Sequence, residues 1–290
     1  MTDINWIEIL WEACIDTVKL IPFLFFTYLL MEWLEHKTGS KTQAMIRRAG
    51  KAGPLFGGIL GMFPQCGFST AASNLYAGNL ITAGTLVAVF LSTSDEMLPI
   101  FVSEAVPVAT IVKVLITKMI FAVCAGFVLD LFYHGIMRRE IRYKSIHTMC
   151  ESEHCKCEEG IFISAMRHTF QITVFIFIVT LILECLLEGV GEQRLSYILL
   201  DVPVVGEIVA GLIGLIPNCA SSVIITELYM EQVIGAGPMM AGLFVNAGVG
   251  ILVLCRMNKK RIKQNVGIIS YLYLAGVIGG VIIRLFHITF

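Results

Sequence analysis

The chain has 290 residues, 57% of them hydrophobic and 15% charged, with a formal net charge of −1. Its mean hydropathy of +0.81 is more apolar surface than a soluble domain of this length can bury, which excludes a water-soluble globular protein. A net charge so near zero gives no electrostatic footprint for nucleic acid or for an acidic partner.

A helix needs about 20 apolar residues to cross a hydrocarbon core. The first such stretch is 17–33. Asp3, Glu8 and Glu12 precede it where a secretory leader would carry basic and then apolar residues, so no removable signal peptide is expected and this span stays. A basic stretch, 37–51, follows, and then the segment GMFPQCGFSTAASNLY at 61–76. Two more spans come next, 81–101 and 107–133, the former containing LSTSDEMLPI. The second half repeats the order, with a span at 161–187, the segment GLIPNCASSVIITELY at 214–229, and spans at 234–254 and 266–286. Lysine and arginine gather at 37–51, 138–167 and 256–263, and the positive-inside rule puts all three in the cytoplasm and both termini outside.

The two quoted segments are in register. Pro64 and Pro217, Cys66 and Cys219, Ser69 and Ser222, and Tyr76 and Tyr229 are each 153 residues apart. Gly53 and Gly206, Gly58 and Gly211, Gly84 and Gly237, and Gly126 and Gly279 keep the same offset. The expected fold is therefore all-α and polytopic, with two five-segment repeats. Each repeat has three full spans and a re-entrant or broken-helix hairpin around its proline segment. Five segments is an odd number, so the second repeat must be inverted. The boundaries follow as 1–136 for the first repeat, 137–160 for a cytoplasmic linker and 161–290 for the second repeat. Inverted repeats with broken helices near the midplane are the usual architecture of secondary transporters, because two equivalent halves can exchange conformations.

Pro64 and Pro217 each lack an N–H and free a carbonyl, which only a protein-lined cavity tolerates at membrane depth. Gln65, Cys66, Asn218 and Cys219 supply side-chain ligands beside them, with the hydroxyls of Ser69 and Ser222 close by. In the next span, Asp95 and Glu96 cost at least about 2.5 kcal/mol each in hydrocarbon and should face a polar cavity. Continuous helical spacing would put Ser92, Asp95, Glu96 and Pro99 on one face, with Pro99 freeing the Asp95 carbonyl. Such an oxygen set suits a hard divalent cation such as manganese. The second half has Gly248 and Val249 at the positions of the acidic pair and Asn246 at that of Thr93, so charge comes from one half.

Lys118 falls near the middle of 107–133 and reads as a counter-charge to the acidic pair, or as the occupant of the ion site when that site is empty. Lys113, nearer the end of that span, can snorkel. Glu227 is a further carboxylate with a coupling or counter-charge role. The linker contains HTMCESEHCKCEEG, whose His147, Cys150, His154, Cys155 and Cys157 offer thiolate and imidazole ligands for zinc, copper(I) or trivalent arsenic in a delivery or sensing role. No nucleotide-binding loop, zinc-protease helix or serine elbow occurs, so the chain is read as no enzyme and as having no resident cofactor. A proton or other ion gradient, or the substrate's own gradient, would drive transport.

The paired FPQCGFS and IPNCASS segments, the STSDEMLP stretch and the Cys/His-bearing loop resemble the ten-helix heavy-metal exporters. That family is also described as manganese transporters and is related to the arsenic permease group. The resemblance spans nearly the whole chain and implies export of a metal or metalloid across a prokaryotic inner membrane. It puts the translocation site among Gln65, Cys66, Ser69, Asp95, Glu96, Asn218, Cys219 and Ser222. Asp95 and Glu96 then act as charged ligands, with Gln65, Asn218 and Asn246 as neutral oxygen ligands for a divalent cation. Two other readings stay open: a carrier of a small anion or oxyanion, with Lys118 neutralising it, and a metal sensor without flux. The glycines at 276–280 allow a homodimer contact, or equally close packing within the chain.

Overall fold

The computed structural model describes residues 52–63, 67–94, 97–136, 161–190, 204–218, 220–288 and 290, with scattered helical positions between 10 and 29. The regular structure among them is helical throughout. In the first half α1 (Gly53–Gly61) and α2 (Gly67–Ala77) precede α3 (Ala83–Ser92), α4 (Met97–Ser103) and the long α5 (Val108–Ile136). After α6 (Ile161–Val190) the order returns as α7 (Val205–Gly214), α8 (Ala220–Met230), α9 (Ala236–Val245), α10 (Gly250–Met257) and α11 (Ile262–Leu285). Shifted by 153, the bounds of α2 and α3 coincide with those of α8 and α9.

Packing repeats with the elements. α1 packs on α3 and α5, and α2 on α3, just as α7 packs on α9 and α11, and α8 on α9. Between the halves, α2 meets α10 and α8 meets α4. In the sets α1–α5 and α7–α11 the second helix of each thus touches the fourth of the other, the self-complementary pattern of a twofold exchange.

Glycine sets how closely these helices approach. A β-carbon on Gly57 would stand 2.8 Å from the Thr85 carbonyl oxygen, and one on Gly61 would stand 2.6 Å from that of Val89. Gly214, the counterpart of Gly61, abuts the carbonyl of Gly242, the counterpart of Val89. Because Gly53 lies at Thr85 and Gly61 at Ser92, α1 rises beside α3 in the same direction. The short link from α2 to α3 is taken up by a turn and a cap. Asn79 is left-handed at φ 58°, Leu80 N–H donates to the Leu75 carbonyl at 2.8 Å, and Thr82 caps α3 through Thr85 N–H. So α2 must run back beside α1, and Met62 and Phe63 begin the tip of a hairpin level with the end of α3. Gln232, at φ 61°, closes α8 in the same way. Arms of 9 and 11 residues are about 14 and 16 Å long, roughly half a hydrocarbon core of about 30 Å.

Four stretches among the described residues are long and apolar enough to cross a membrane. Ala83–Ser103 and Ala236–Met257 are 75% and 89% buried, whereas Val108–Phe132 and Ile262–Leu285 are 33% and 39% buried. The first two therefore form the centre, and α5 and α11 present apolar rows such as Val112, Ile116 and Ile120 outward. α6 packs Ala165, Ile172 and Ile176 with Leu24 against Val249 and Val253.

The central stretches are not continuous helices, which corrects the expectation that Ser92, Asp95, Glu96 and Pro99 share one helical face. α3 stops at Ser92, where Thr93 turns to ψ 131°, and α4 restarts at Met97. At this ending the hydroxyls add bonds to the carbonyls of the last turns. Ser92 Oγ donates to the Ala88 carbonyl and Thr93 Oγ1 to that of Val89, both at 2.8 Å, and Ser94 Oγ donates to that of Ser92 at 3.1 Å. Pro99 falls in the first turn of α4, where a missing N–H costs nothing. The glycines at 276–280, expected to allow a dimer contact, are filled from within the chain. Gly276 and Gly280 face Val245 and Ala241 of α9, and Gly279 faces Phe121 and Phe244.

Candidate functional site

The two breaks in the central stretches lie side by side. In the first, Thr93 leaves helical geometry and its carbonyl loses a helical partner. In the second, α9 ends at Val245, Asn246 turns to ψ 102°, and Gly248 takes φ 51° with its N–H donating to Asn246 Oδ1 at 2.8 Å. That Asx-type turn leaves the Leu243 carbonyl short of its helical donor. Lys118 reaches both: its Nζ donates to the Thr93 carbonyl and, at 2.9 Å, to the Leu243 carbonyl. The lysine side chain is 0% exposed, while Lys113, one and a half turns earlier on α5, is exposed. A cavity with room for about one water molecule lies beside these carbonyls, lined by Thr93, Ser94, Met97, Ser222, Leu243 and Asn246.

Each hairpin helix faces the break of the opposite half. Ser222, in the first turn of α8, lines the cavity with Thr93 and Ser94. Its counterpart Ser69, in the first turn of α2, is buried where a β-carbon on Gly250 would stand 2.8 Å from Ser69 Cβ. One turn on, Ser73 Oγ donates to the Gly250 carbonyl at 2.7 Å, which ties α2 to the start of α10. At the second hairpin tip Asn218 is 2% exposed, and its Nδ2 has no hydrogen-bond partner among the described residues. An orphaned buried amide donor costs about 1–3 kcal/mol.

Of the expected site residues, the structure brings Ser222 and Asn246 to the cavity and Lys118 to the carbonyls that border it. Ser69 and Asn218 are buried at the neighbouring contact and tip. Gln65, Cys66, Asp95, Glu96 and Cys219 lie outside the described residues, as do His147, Cys150, His154, Cys155 and Cys157 of the linker. Glu227 is exposed near the end of α8 and does not line the cavity. Among the described residues no group of three His, Cys, Asp or Glu is placed to hold a metal.

Two carboxylates not singled out in the sequence sit at the N-termini of the central stretches. Asp130 of α5 accepts from Gly84 N–H at 2.8 Å and from Thr82 Oγ1 at 2.7 Å. Glu207 of α7 is fully buried beside Gly237, with Arg284 Nε at 2.8 Å from its Oε1. A carboxylate at the positive end of a helix is stabilising; Asp130 anchors the start of α3 by hydrogen bonds, Glu207 is paired with Arg284 beside the start of α9, and neither lines the cavity. The signal for them was the glycine pair Gly84 and Gly237, since a β-carbon at either would stand 2.6 Å from a carboxylate oxygen.

The family described as "Putative, 10TM heavy-metal exporter" matches residues 5–166, more than half of the chain. The chain belongs to this family. The matched residues include the first hairpin, the STSDE break and Lys118, which puts the exporter family's match over one of the two central breaks. No curated protein and no solved structure matches the chain. As a member of the exporter family with apolar helices at membrane-spanning length, it is an all-helical, multi-pass membrane protein and a metal transporter.

Proposed function

We propose that the chain is a secondary-active exporter of a divalent cation such as manganese, carried through the place where the two central breaks and the two hairpins meet. The observation that carries this reading is Lys118: the carbonyls ending α3 and α9 already hold a cation, its ammonium, beside the cavity. Helix dipoles alone would not decide between a cation and an anion. α1, α3, α7 and α9 bring their negative ends toward the centre while α2, α4, α8 and α10 bring positive ends. Asp95 and Glu96 stand between Ser94 and Met97 in the sequence, and both of those line the cavity. They are the charged ligands in this reading, supported by neutral oxygens from Ser222, Asn218 and Asn246, and by Gln65 and the thiols Cys66 and Cys219 of the two proline segments. Lys118, held by carbonyls, favours a cation over the arsenite or organic anion that it would otherwise neutralise.

Charge supports an inverted arrangement of residues 1–136 and 161–290. Arg261 Nη1 donates to Asn79 Oδ1 at 3.0 Å, which ties the base of the first hairpin to the basic junction with Lys259 and Lys263. Glu231 lies at the base of the second hairpin and Glu104 between α4 and α5, on the less basic side. By the positive-inside rule the first hairpin enters from the cytoplasm and the second from outside, each re-entering on its own face. Alternating access then follows when the two halves exchange conformations about a fixed site, driven by an ion gradient across a prokaryotic inner membrane. The 137–160 linker, with its His and Cys residues, would sense or deliver metal on the cytoplasmic side.

Inside-out vesicles holding the intact chain should accumulate manganese, tested in parallel with zinc and arsenite. The double variant Asp95→Asn, Glu96→Gln should lose that accumulation. If no cation moves, or transport survives both substitutions, the acidic-site reading is wrong.

A further inference from the structure

The central cavity is lined by Thr93, Ser94, Met97, Ser222, Leu243 and Asn246. Room for about one water molecule admits a bare ion and not a hydrated one, so the lining must stand in for the ion's water shell. Much of that lining is oxygen. The Thr93 and Ser94 hydroxyls direct their protons at the carbonyls of Val89 and Ser92, which leaves lone pairs on both oxygens. Asn246 Oδ1 accepts from Gly248 N–H and has a second lone pair. Met97, fully buried at the start of α4, adds a sulfur to the lining.

Shifted by 153, Ser222, Leu243 and Met97 correspond to Ser69, Phe90 and Gly250. Those three counterparts pack shut: a β-carbon on Gly250 would stand 2.8 Å from Ser69 Cβ and 3.0 Å from the Phe90 ring. An aromatic ring against a glycine closes that place, whereas its equivalent is left hollow with a methionine in the wall. Oxygens bind any divalent cation of suitable size. A thioether strengthens the hold on a soft or borderline ion and adds nothing for magnesium or calcium, which take oxygen ligands. We propose that Met97 is a specificity-determining residue of the transport site, which selects zinc- and cadmium-like divalent cations against magnesium and calcium. Manganese, lowest in the affinity order of the transition-metal dications, is carried by the oxygens. This inference rests on the cation reading above and names the class of cation that the cavity prefers.

Cadmium and calcium carry the same charge and are nearly equal in size, so at one site they differ chiefly in softness. The test titrates each against the accumulation of radiolabelled manganese in inside-out vesicles of the full chain. Cadmium should compete at a lower concentration than calcium in the wild type. Met97→Leu keeps the volume and the apolar packing and removes the sulfur. The calcium-to-cadmium ratio of competing concentrations should then fall by about tenfold, through weaker competition by cadmium. Met240→Leu is the control, because Met240 on α9 is as fully buried but does not line the cavity, and it should keep the wild-type ratio. Met97→Cys keeps a sulfur and should hold the ratio at or above the wild-type value, which decides the matter even if the leucine variant does not fold. An unchanged ratio in Met97→Leu, an equal fall in Met240→Leu, or a fall in Met97→Cys overturns the role of the thioether and leaves cation transport standing. A wild-type chain that moves no manganese overturns the cation reading itself.

Discussion

At Gly214 an added side chain would run into the Gly242 carbonyl, and backbone cannot step aside as a flexible side chain can. Gly214→Val should therefore destabilise the protein by about 1–3 kcal/mol, read as a lower thermal unfolding midpoint in detergent. Gly267, on α11, has nothing within 4 Å of its would-be β-carbon. Gly267→Ala should leave the midpoint unchanged or raise it by up to about 1 kcal/mol of helix propensity. Equal losses in both variants would refute the close approach of α7 and α9. The oddity of Lys118 was legible in the sequence because charge at mid-span is expensive wherever it points. Its two acceptors were not, since carbonyls orphaned by a helix break carry no residue signature. Asp130 and Glu207 escaped for a different reason: an acid near the edge of an apolar run reads as solvated until the helix start beside it is known.

The helices themselves follow from hydropathy, but their interruptions do not. A window long enough to detect a span averages over Thr93 and Ser94, and over Asn246 to Val249, because small polar and glycine residues barely lower its mean. Periodicity misled in the same place: Ser92 to Pro99 has helical spacing, yet the helix ends at Ser92, where serine and threonine hydroxyls add bonds to its last turns. Pro217 stands in the turn that follows α7, whereas Pro64 lies outside the described residues. Half-length arms that double back predict which side each hairpin is reached from. In a chain whose native cysteines are replaced by serine, Asn79→Cys should react with a membrane-impermeant thiol reagent only from the cytoplasmic face. Gln232→Cys should react only from the outer face. Labelling of both from one side would rule out inversion.

Over the whole molecule, the 153-residue offset was visible as matched prolines, cysteines and glycines, and the helix bounds and the packing of each half carry the same offset. The contacts of α2 with α10 and of α8 with α4 were not visible, because they join the halves and depend on shape. Those crossed contacts bring the breaks together, at the place proposed for the cargo. Spin labels on Asn79→Cys and Gln232→Cys flank that centre, each at the end of a hairpin helix of 11 residues. Electron–electron distance measurement from bound manganese to each label tests the account most directly. It predicts one bound ion at similar distances from both labels, each on the order of 20 Å, with the ion lost in the Asp95→Asn, Glu96→Gln variant. An ion close to the Asn79→Cys label alone, as binding by the linker cysteines and histidines would give, or no bound ion at all, would contradict it.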